Sequence, residues 1–359
     1  MRVLFVYRFL TLGGVESVLR SRLEGLPDEG IEAQAWFLLD RGGLETFAGL
    51  RDRTHVGGLT ELEAHLRLFA PDIVASIDTE EVLGSLDAAR STVIVECHSP
   101  YHENLGYLRR LDPRVVRAIL VPSQHQRETV LQALREPIPT AVIANPIGRM
   151  FLHCADSVIR PESDPIVLWV GRLDPLKTWE FFLRLAEGLL RRGSPAQYWI
   201  AGDTQDEGVV RRLYREAKER RLLPRLRWVR QVRHESMPAM YAQVRASGGL
   251  VVSTSRNESF GMAVAEAMAV GDAVLAPRQG PFPELIAPDQ TGRLYEPDDL
   301  ASAQQKAIGL LEGEALRVRL GMAARVATAS RFAPEAALKT LAAELRSIVA
   351  ASSGRAQLL

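Results

Sequence analysis

Two consecutive series of short apolar runs rich in β-branched residues, interleaved with helical patterns, leave few architectures open to this chain. The first series is RVLFVY (2–7), EAQAWFLL (32–39), DIVASI (72–77), STVIVE (91–96), AILVP (118–122) and TAVIA (140–144). Near-continuous apolar runs of this length read as strands covered on both faces, as in a parallel sheet flanked by helices. Between several of them lie apolar positions at helical spacing, such as Val15, Val18, Leu19, Leu23 and Leu26. The alternation restarts with PIVLWVG (165–171), AQYWIAG (196–202), RLRWV (225–229), GLVVST (249–254) and AVLAP (273–277). Two such series predict two doubly wound α/β domains, each a Rossmann-like parallel sheet.

The segment HCADSVIRPESDP (153–165) is polar, carries two prolines and shows no periodicity, so the boundary is expected there. This gives domains over 1–155 and 156–335, with 336–359 as a C-terminal helix packing back toward the first. Ligands of open α/β sheets bind beyond the carboxyl ends of the strands, which makes a crevice shared by the two halves the expected site.

With 359 residues, 47% of them hydrophobic, the chain can bury two cores of ordinary size. Lys plus Arg and Asp plus Glu are each 44, so no net charge argues for a nucleic-acid partner. Cys97 and Cys154 are the two cysteines and make no disulfide framework, which points to a reducing compartment, the cytoplasm. No apolar run approaches the roughly 20 residues a membrane-spanning helix needs, and MRVLFVY reads as a buried strand rather than a leader. Peripheral contact with the inner face of a membrane stays open, as does oligomeric state. Lysine occurs only at 177, 218, 306 and 339 among many arginines, which draws attention to Lys177.

In VGRLDPLKTWEFF (170–182) a strand ends at Gly171, Arg172 and Lys177 follow five apart, and a helical pattern begins near Trp179. Two cations at a strand's carboxyl end suit a diphosphate, since arginine forks two phosphate oxygens and lysine adds a point charge. A surface turn with two solvated cations is the alternative. In SRNESFGMAVAEAMAVG (255–271), Glu258 sits in a loop after a strand, and a helix is expected from near Phe260 or Gly261. A glycine at a helix start lets a phosphate approach orphan amides and the positive dipole end. Glu258 and Glu266 would then accept from hydroxyls on either side of that phosphate, since ionised carboxylates are acceptors only. Taken alone, the two glutamates read first as a helix-start residue and an incidental surface one, since two glutamates eight apart occur often by chance.

Taken together the motifs resemble the retaining glycosyltransferases of the two-domain GT-B type, most closely the large family 4 of bacterial hexosyl and N-acetylhexosaminyl transferases. The resemblance runs through GGVE (13–16), HSP (98–100), LVPSQHQRETV (120–130), VIANP (142–146), GRLDPLK (171–177), IAGD (200–203), ESFGMAVAE (258–266) and PELIAPDQTGRLYEPDD (283–299). It implies a GT-B fold, two Rossmann-like domains facing a central cleft, and transfer from a UDP-sugar or GDP-sugar donor to an acceptor hydroxyl without a further cofactor. The resemblance implies that Arg172 and Lys177 clamp the diphosphate, that Glu266 holds the ribose and that Glu258 holds the transferred sugar, aided by the amides of Phe260, Gly261 and Met262. It also implies that Gly13 and Gly14 let a loop pass close to the donor, and that His98 touches the transferred sugar; a structural histidine is the alternative there. No Asp-x-Asp triplet occurs, so no metal site is expected.

Two departures from the pattern concern specificity. GPFPEL (280–285) places Pro281 where relatives carry a second glycine, and Arg230 and Gln231 stand where relatives place a glycine near the base. The acceptor, a glycan, a glycolipid or a small molecule, is not specified. Arg109, Arg110, Arg114 and Arg117 read either as a solvated helix face or as a contact for a phosphorylated acceptor, and the arginines from Arg211 to Arg233 as i, i+4 pairs on an exposed helix. A GT-B nucleotide-sugar epimerase or hydrolase, and a non-catalytic nucleotide-sugar-binding protein, would use the same donor residues. A dinucleotide dehydrogenase is disfavoured because TLGG lacks the Gly-x-Gly-x-x-Gly spacing.

Overall fold

The structure is a computed structural model that describes residues 1–11, 13–86, 90–154 and 164–356. It divides into two compact units, Met1–Gly148 with Phe332–Leu359, and Arg149–Arg331. Most of the polar linker expected as the boundary, residues 155–163, lies outside the described residues.

The first unit holds strands β1 (Arg2–Leu10), β2 (Glu32–Asp40), β3 (Thr54–Val56), β4 (Ile73–Ile77), β5 (Thr92–Glu96), β6 (Val116–Val121) and β7 (Thr140–Val142). They form one sheet in the order β3-β2-β1-β4-β5-β6-β7, with every pairing parallel. Residues Val3–Val6 of the interior strand β1 are all fully buried, as a strand covered on both faces requires. Helix Pro334–Ala356 packs in this unit: Leu338, Leu341, Ala342, Leu345 and Ile348 join the cluster built on Val3, Phe5, Leu19, Leu23 and Phe37.

The second unit holds β8 (Ile166–Val170), β9 (Gln197–Ala201), β10 (Leu226–Val229), β11 (Leu250–Val252), β12 (Val274–Pro277) and β13 (Arg293–Tyr295), in the order β10-β9-β8-β11-β12-β13 and again all parallel. Helix Trp179–Arg191 buries Trp179, Phe181, Phe182, Leu183, Leu185, Ala186 and Leu189 against this sheet. In each sheet the winding reverses beside its first strand, between β1 and β4 and between β8 and β11. That reversal opens a gap at the carboxyl ends, where such sheets bind ligands. Gly202 shows how closely the ends of β8 and β9 meet: its φ is +151°, and a Cβ there would stand 1.9 Å from the Gly171 carbonyl oxygen.

The arginines after β5 differ from the helix face expected of them. His102–Arg110 is a run of 3-10 helix, Arg110 forks Glu80 at 2.7 Å and Arg114 pairs with Asp112 at 2.8 Å. On helix Glu207–Glu219 and its end, Arg211–Glu207 and Arg220–Glu216 are i, i+4 pairs.

Candidate functional site

The second unit gathers most of the expected site residues at its winding reversal, on the segments that follow β8 and β11. After β8 the chain passes Gly171, and Asp174 caps the turn by accepting from the amides of Leu176 and Lys177 at 3.0 and 3.1 Å. Thr178 then takes a left-handed conformation, φ 44°. Thr254, just past β11, holds this strained residue: its hydroxyl lies 2.8 Å from the Lys177 carbonyl and 3.0 Å from that of Thr178, and accepts from Trp169 Nε1 at 2.8 Å. The Arg256 amide donates to the Leu176 carbonyl at 2.8 Å. The two segments, some 80 residues apart in sequence, are thereby fastened into one surface.

On that surface Lys177 Nζ is ion-paired with Glu258 Oε1, and the Ser255 hydroxyl donates to the same oxygen at 2.9 Å. The pair is mostly buried, with 17% and 15% of the side chains exposed, so it is screened less than a surface pair. Both contacts fall on Oε1, which leaves Oε2 as an acceptor directed by a fixed carboxylate. Lys177 keeps further N–H donors, since an ammonium has three. Arg172 is looser: it stands 3.4 Å from Asp174 Oδ2 with 67% of its side chain exposed.

Helix Met262–Val270 starts where expected, with Gly261 at φ 91° as its N-cap. A Cβ at Gly261 would meet the Phe282 ring at 3.0 Å, so glycine is required by conformation and by packing alike. The first bonds of the helix run from Val264 and Ala265 to the Gly261 carbonyl, so the amides of Met262 and Ala263 have no carbonyl within the helix. Pro281, the departure read from sequence, precedes the short helix Phe282–Leu285 and thus helps position the Phe282 ring behind Gly261.

Glu266 lies in the second turn of this helix and is 6% exposed. Burial pushes its carboxyl up to about 8, against a hydrogen bond with Tyr241 that pulls it down. His234 Nδ1 is 4.0 Å from Glu266 Oε1, and its ring packs edge-on against Phe151 with centroids 5.1 Å apart. Tyr241, His234 and Phe151 carried no sequence motif that marked them. Arg230 and Gln231, the second departure, bond Asp203 at 2.7 and 3.0 Å. Burial pulls the Asp203 carboxyl up, but these partners hold it below the ordinary range.

In the first unit Gly13 and Gly14 are exposed at the start of helix Gly14–Gly25, after β1. Beside them is a residue the sequence reading passed over. Glu16 is buried, and accepts from the Thr11 amide at 2.6 Å and from the Thr11 hydroxyl at 2.5 Å. A Cβ on Gly13 would stand 2.7 Å from Glu16 Oε2, so Gly13 makes room for this carboxylate.

His98 is 7% exposed, with Nε2 3.0 Å from Glu96 Oε2 and its amide donating to Asp78 Oδ2 at 2.9 Å. Glu96 in turn takes Arg22 Nη1 on both oxygens, at 2.7 and 2.8 Å. Burial alone would raise the Glu96 carboxyl, but Arg22 and His98 hold it down at about 2. One ring nitrogen of His98 is thus committed to a buried ion pair. Cys97 is fully buried, and burial drives its thiol well above the ordinary range, which fits a packed strand end. Among the described residues no cluster of three or more His, Cys, Asp or Glu could hold a metal, and no helix is long and apolar enough to cross a membrane.

The family described as Glycosyl transferases group 1 matches residues 155–327. The alpha-D-kanosaminyltransferase of Streptomyces kanamyceticus is 31% identical over 190 residues, 52% of this chain and 47% of that protein. The GDP-mannose-dependent alpha-mannosyltransferase of Mycolicibacterium smegmatis is 35% identical over 174 residues, 48% of this chain and 41% of that protein. The chain thus spans about half the length of the curated relatives it matches. The crystal structure of Anabaena Alr3699/HepE in complex with UDP and glucose superimposes with a TM-score of 0.81 at 20% identity, covering 97% of this chain and 100% of that one. Sucrose-phosphate synthase from Thermosynechococcus elongatus gives 0.77 at 18% identity, over 98% and 100%. These two likenesses are of fold. Residues 155–327 thus match the glycosyl transferases group 1 family, and the two Rossmann-like units have the fold of GT-B glycosyltransferases.

Proposed function

We propose that the chain transfers a hexosyl or N-acetylhexosaminyl unit from a nucleoside-diphosphate sugar to an acceptor hydroxyl on a glycan, glycolipid or small molecule, with retention of configuration and without a metal. The observation that carries this reading is the Lys177–Glu258 pair, fixed by Ser255 at the winding reversal of the second sheet. One side of that pair is a cation for a phosphate, the other a carboxylate for a sugar hydroxyl, and the Gly261 helix start lies beside it in the chain. A UDP-sugar or a GDP-sugar fits: the structurally similar HepE was crystallised with UDP-glucose, and a relative uses GDP-mannose.

In this reading Lys177 keeps Glu258 with one N–H and offers the others to the diphosphate, joined by Arg172 and the amides of Met262 and Ala263. These donors stabilise charge as the nucleoside diphosphate departs, and preorganised donors act most strongly where charge develops. The acceptor hydroxyl attacks the anomeric carbon from the face the diphosphate leaves, and its proton passes to a departing phosphate oxygen. The reaction therefore asks for no side-chain base. Two free cysteines accord with action in the cytoplasm, where a nucleotide-sugar pool is available.

Calorimetry with the free diphosphate and the intact donor tests the role of Glu258. Glu258→Gln is expected to leave the affinity for the free nucleoside diphosphate nearly unchanged, to weaken the intact donor and to lower kcat more than donor affinity. Sugar contacts that tighten as charge develops act on the rate. Equal losses for diphosphate and donor would refute the assignment. Because Arg172 and Lys177 supply the positive charge, transfer is also expected to persist in EDTA. Inactivation that manganese or magnesium restores would refute that part.

A further inference from the structure

The first unit carries a polar cluster that no part of this reading uses. His55 lies on β3, opposite Trp36 of β2 in the sheet register, and His65 lies on helix Leu59–Phe69. Both rings aim Nε2 at one atom, Gln34 Oε1 of β2, at 2.9 Å each. Their centroids are 4.4 Å apart. Trp36 packs beside both rings, at 5.8 Å from His55 and 5.1 Å from His65, and Phe69 stacks on His65 at 5.7 Å. Trp36 is itself pinned by its Nε1–H to the Gly57 carbonyl at 2.9 Å. Three elements thus hold two imidazoles in fixed orientations around one oxygen, and both histidines are half-buried, within reach of solvent.

We infer that Gln34, His55 and His65 form a binding site for one divalent late transition-metal ion, Zn2+, Ni2+ or Cu2+, with the two imidazole Nε2 atoms as its principal ligands. Two donor atoms each about 2.1 Å from one ion stand roughly 3.0 Å apart at a right angle and roughly 3.4 Å apart at the tetrahedral angle. The two hydrogen bonds that converge on Gln34 Oε1, at 2.9 Å each, aim both Nε2 atoms at one point and lie close to the first of these spacings. Imidazole with a neutral oxygen is a donor set that suits these ions and not magnesium or calcium. Asp52 adds negative potential beside His55.

In the ion-free cluster each Nε2 carries hydrogen, because an amide oxygen only accepts. Binding needs the other neutral tautomer, with the proton moved from Nε2 to Nδ1 through water, so no net proton is released. The ion enters between the two Nε2 atoms and Gln34 Oε1, and the Gln34 amide stays as an oxygen ligand or yields to water. Such a site would tie edge strand β3 to helix Leu59–Phe69. It lies in the amino-terminal half of β2, away from the carboxyl ends where the ligand-binding gap opens, so it reads as a clamp on the fold of the first unit rather than as part of catalysis.

The test is titration of the full, untagged chain with zinc chloride, nickel chloride and copper(II) chloride, followed by calorimetry and by melting. One ion per chain is expected, with copper held tighter than nickel or zinc, as ligand-field order requires. Zinc in excess should raise the melting temperature by several degrees. His55→Gln and His65→Gln should each weaken binding at least tenfold, while His125→Gln, outside the cluster, should not. Should either variant fold poorly, the unaltered chain still decides the matter: copper electron paramagnetic resonance should show two coupled imidazole nitrogens, and zinc should shift the His55 and His65 ring resonances alone among the histidines. No binding below millimolar metal, binding that survives both substitutions, or shifts confined to other histidines would overturn the inference.

Discussion

Lys177→Ala is expected to lower the rate of sugar transfer by about 100-fold or more, the usual cost of removing one well-placed donor to a departing anion. It should weaken the intact donor and the free nucleoside diphosphate alike, while the weak binding of the free nucleoside changes little. The size follows from the surroundings of the lysine. Its side chain is 17% exposed and pairs with Glu258, so alanine removes a cation and also leaves a mostly buried carboxylate facing the diphosphate. Loss of attraction and gain of repulsion then act in the same direction. Arg172→Ala should cost less, because that guanidinium is 67% exposed and offset by Asp174. Lys177→Arg should restore little, since a planar fork does not fit where Ser255 and Lys177 share one carboxylate oxygen. Titrating nucleoside, diphosphate and donor into each variant separates these outcomes, and equal losses for nucleoside and diphosphate would remove the clamp from the scheme.

Much of this arrangement was legible in the residues before the fold was known. All eleven runs read as strands contain one, and for most of them the reason is that a parallel strand buried on both faces announces itself as a run of four to six apolar residues. The two strands that escaped, Thr54–Val56 and Arg293–Tyr295, are three residues long and, unlike the equally short Thr140–Val142 and Leu250–Val252, stand in no longer apolar run. Arg172, Lys177, Glu258 and Glu266 could be nominated because they sit at strand ends and a helix start, positions that sequence punctuation marks. That Lys177 and Glu258 touch could not be read off, since their pairing depends on β8 and β11 being neighbours across 81 residues.

The Glu96–His98 contact was within reach, because residues two apart on a strand share a face. Its meaning, a histidine committed to a buried arginine–glutamate pair, needed Arg22 from a helix 74 residues away. Glu16 was hidden differently: the glycines of GGVE drew notice, while the acid beside them reads as an ordinary first-turn residue until its Thr11 partner is seen. Tyr241 and His234 carry no local signal, and only packing places them around Glu266.

Glu266 should make donor binding strongly dependent on pH, and should destabilise the empty protein at the pH where it binds best. In the empty site burial pushes this carboxyl up to about 8, so near neutrality it is mostly protonated. A ribose diol donates two hydrogens and is best met by the ionised form, so binding releases a proton. Affinity for the intact donor, whose phosphates do not titrate in this range, should then rise on the order of 50-fold from pH 6 to pH 8 and level off above it. Glu266→Gln should flatten that profile and weaken donor and free diphosphate together, because both carry the ribose.

The stability effect has the opposite sign. A carboxyl whose folded value exceeds its unfolded value is stabilising to leave protonated, so the native protein loses stability as pH climbs from about 4.5 toward 8, by on the order of 4 kcal/mol if nothing relaxes. The glutamine variant is free of that loss. It should melt higher than the native chain at pH 8 and alike at pH 4.5, while binding nucleotide worse. A residue retained for packing would show the two melting curves parting with pH but not the proton released on binding. A donor affinity that stays level from pH 6 to pH 8 would take the ribose away from Glu266.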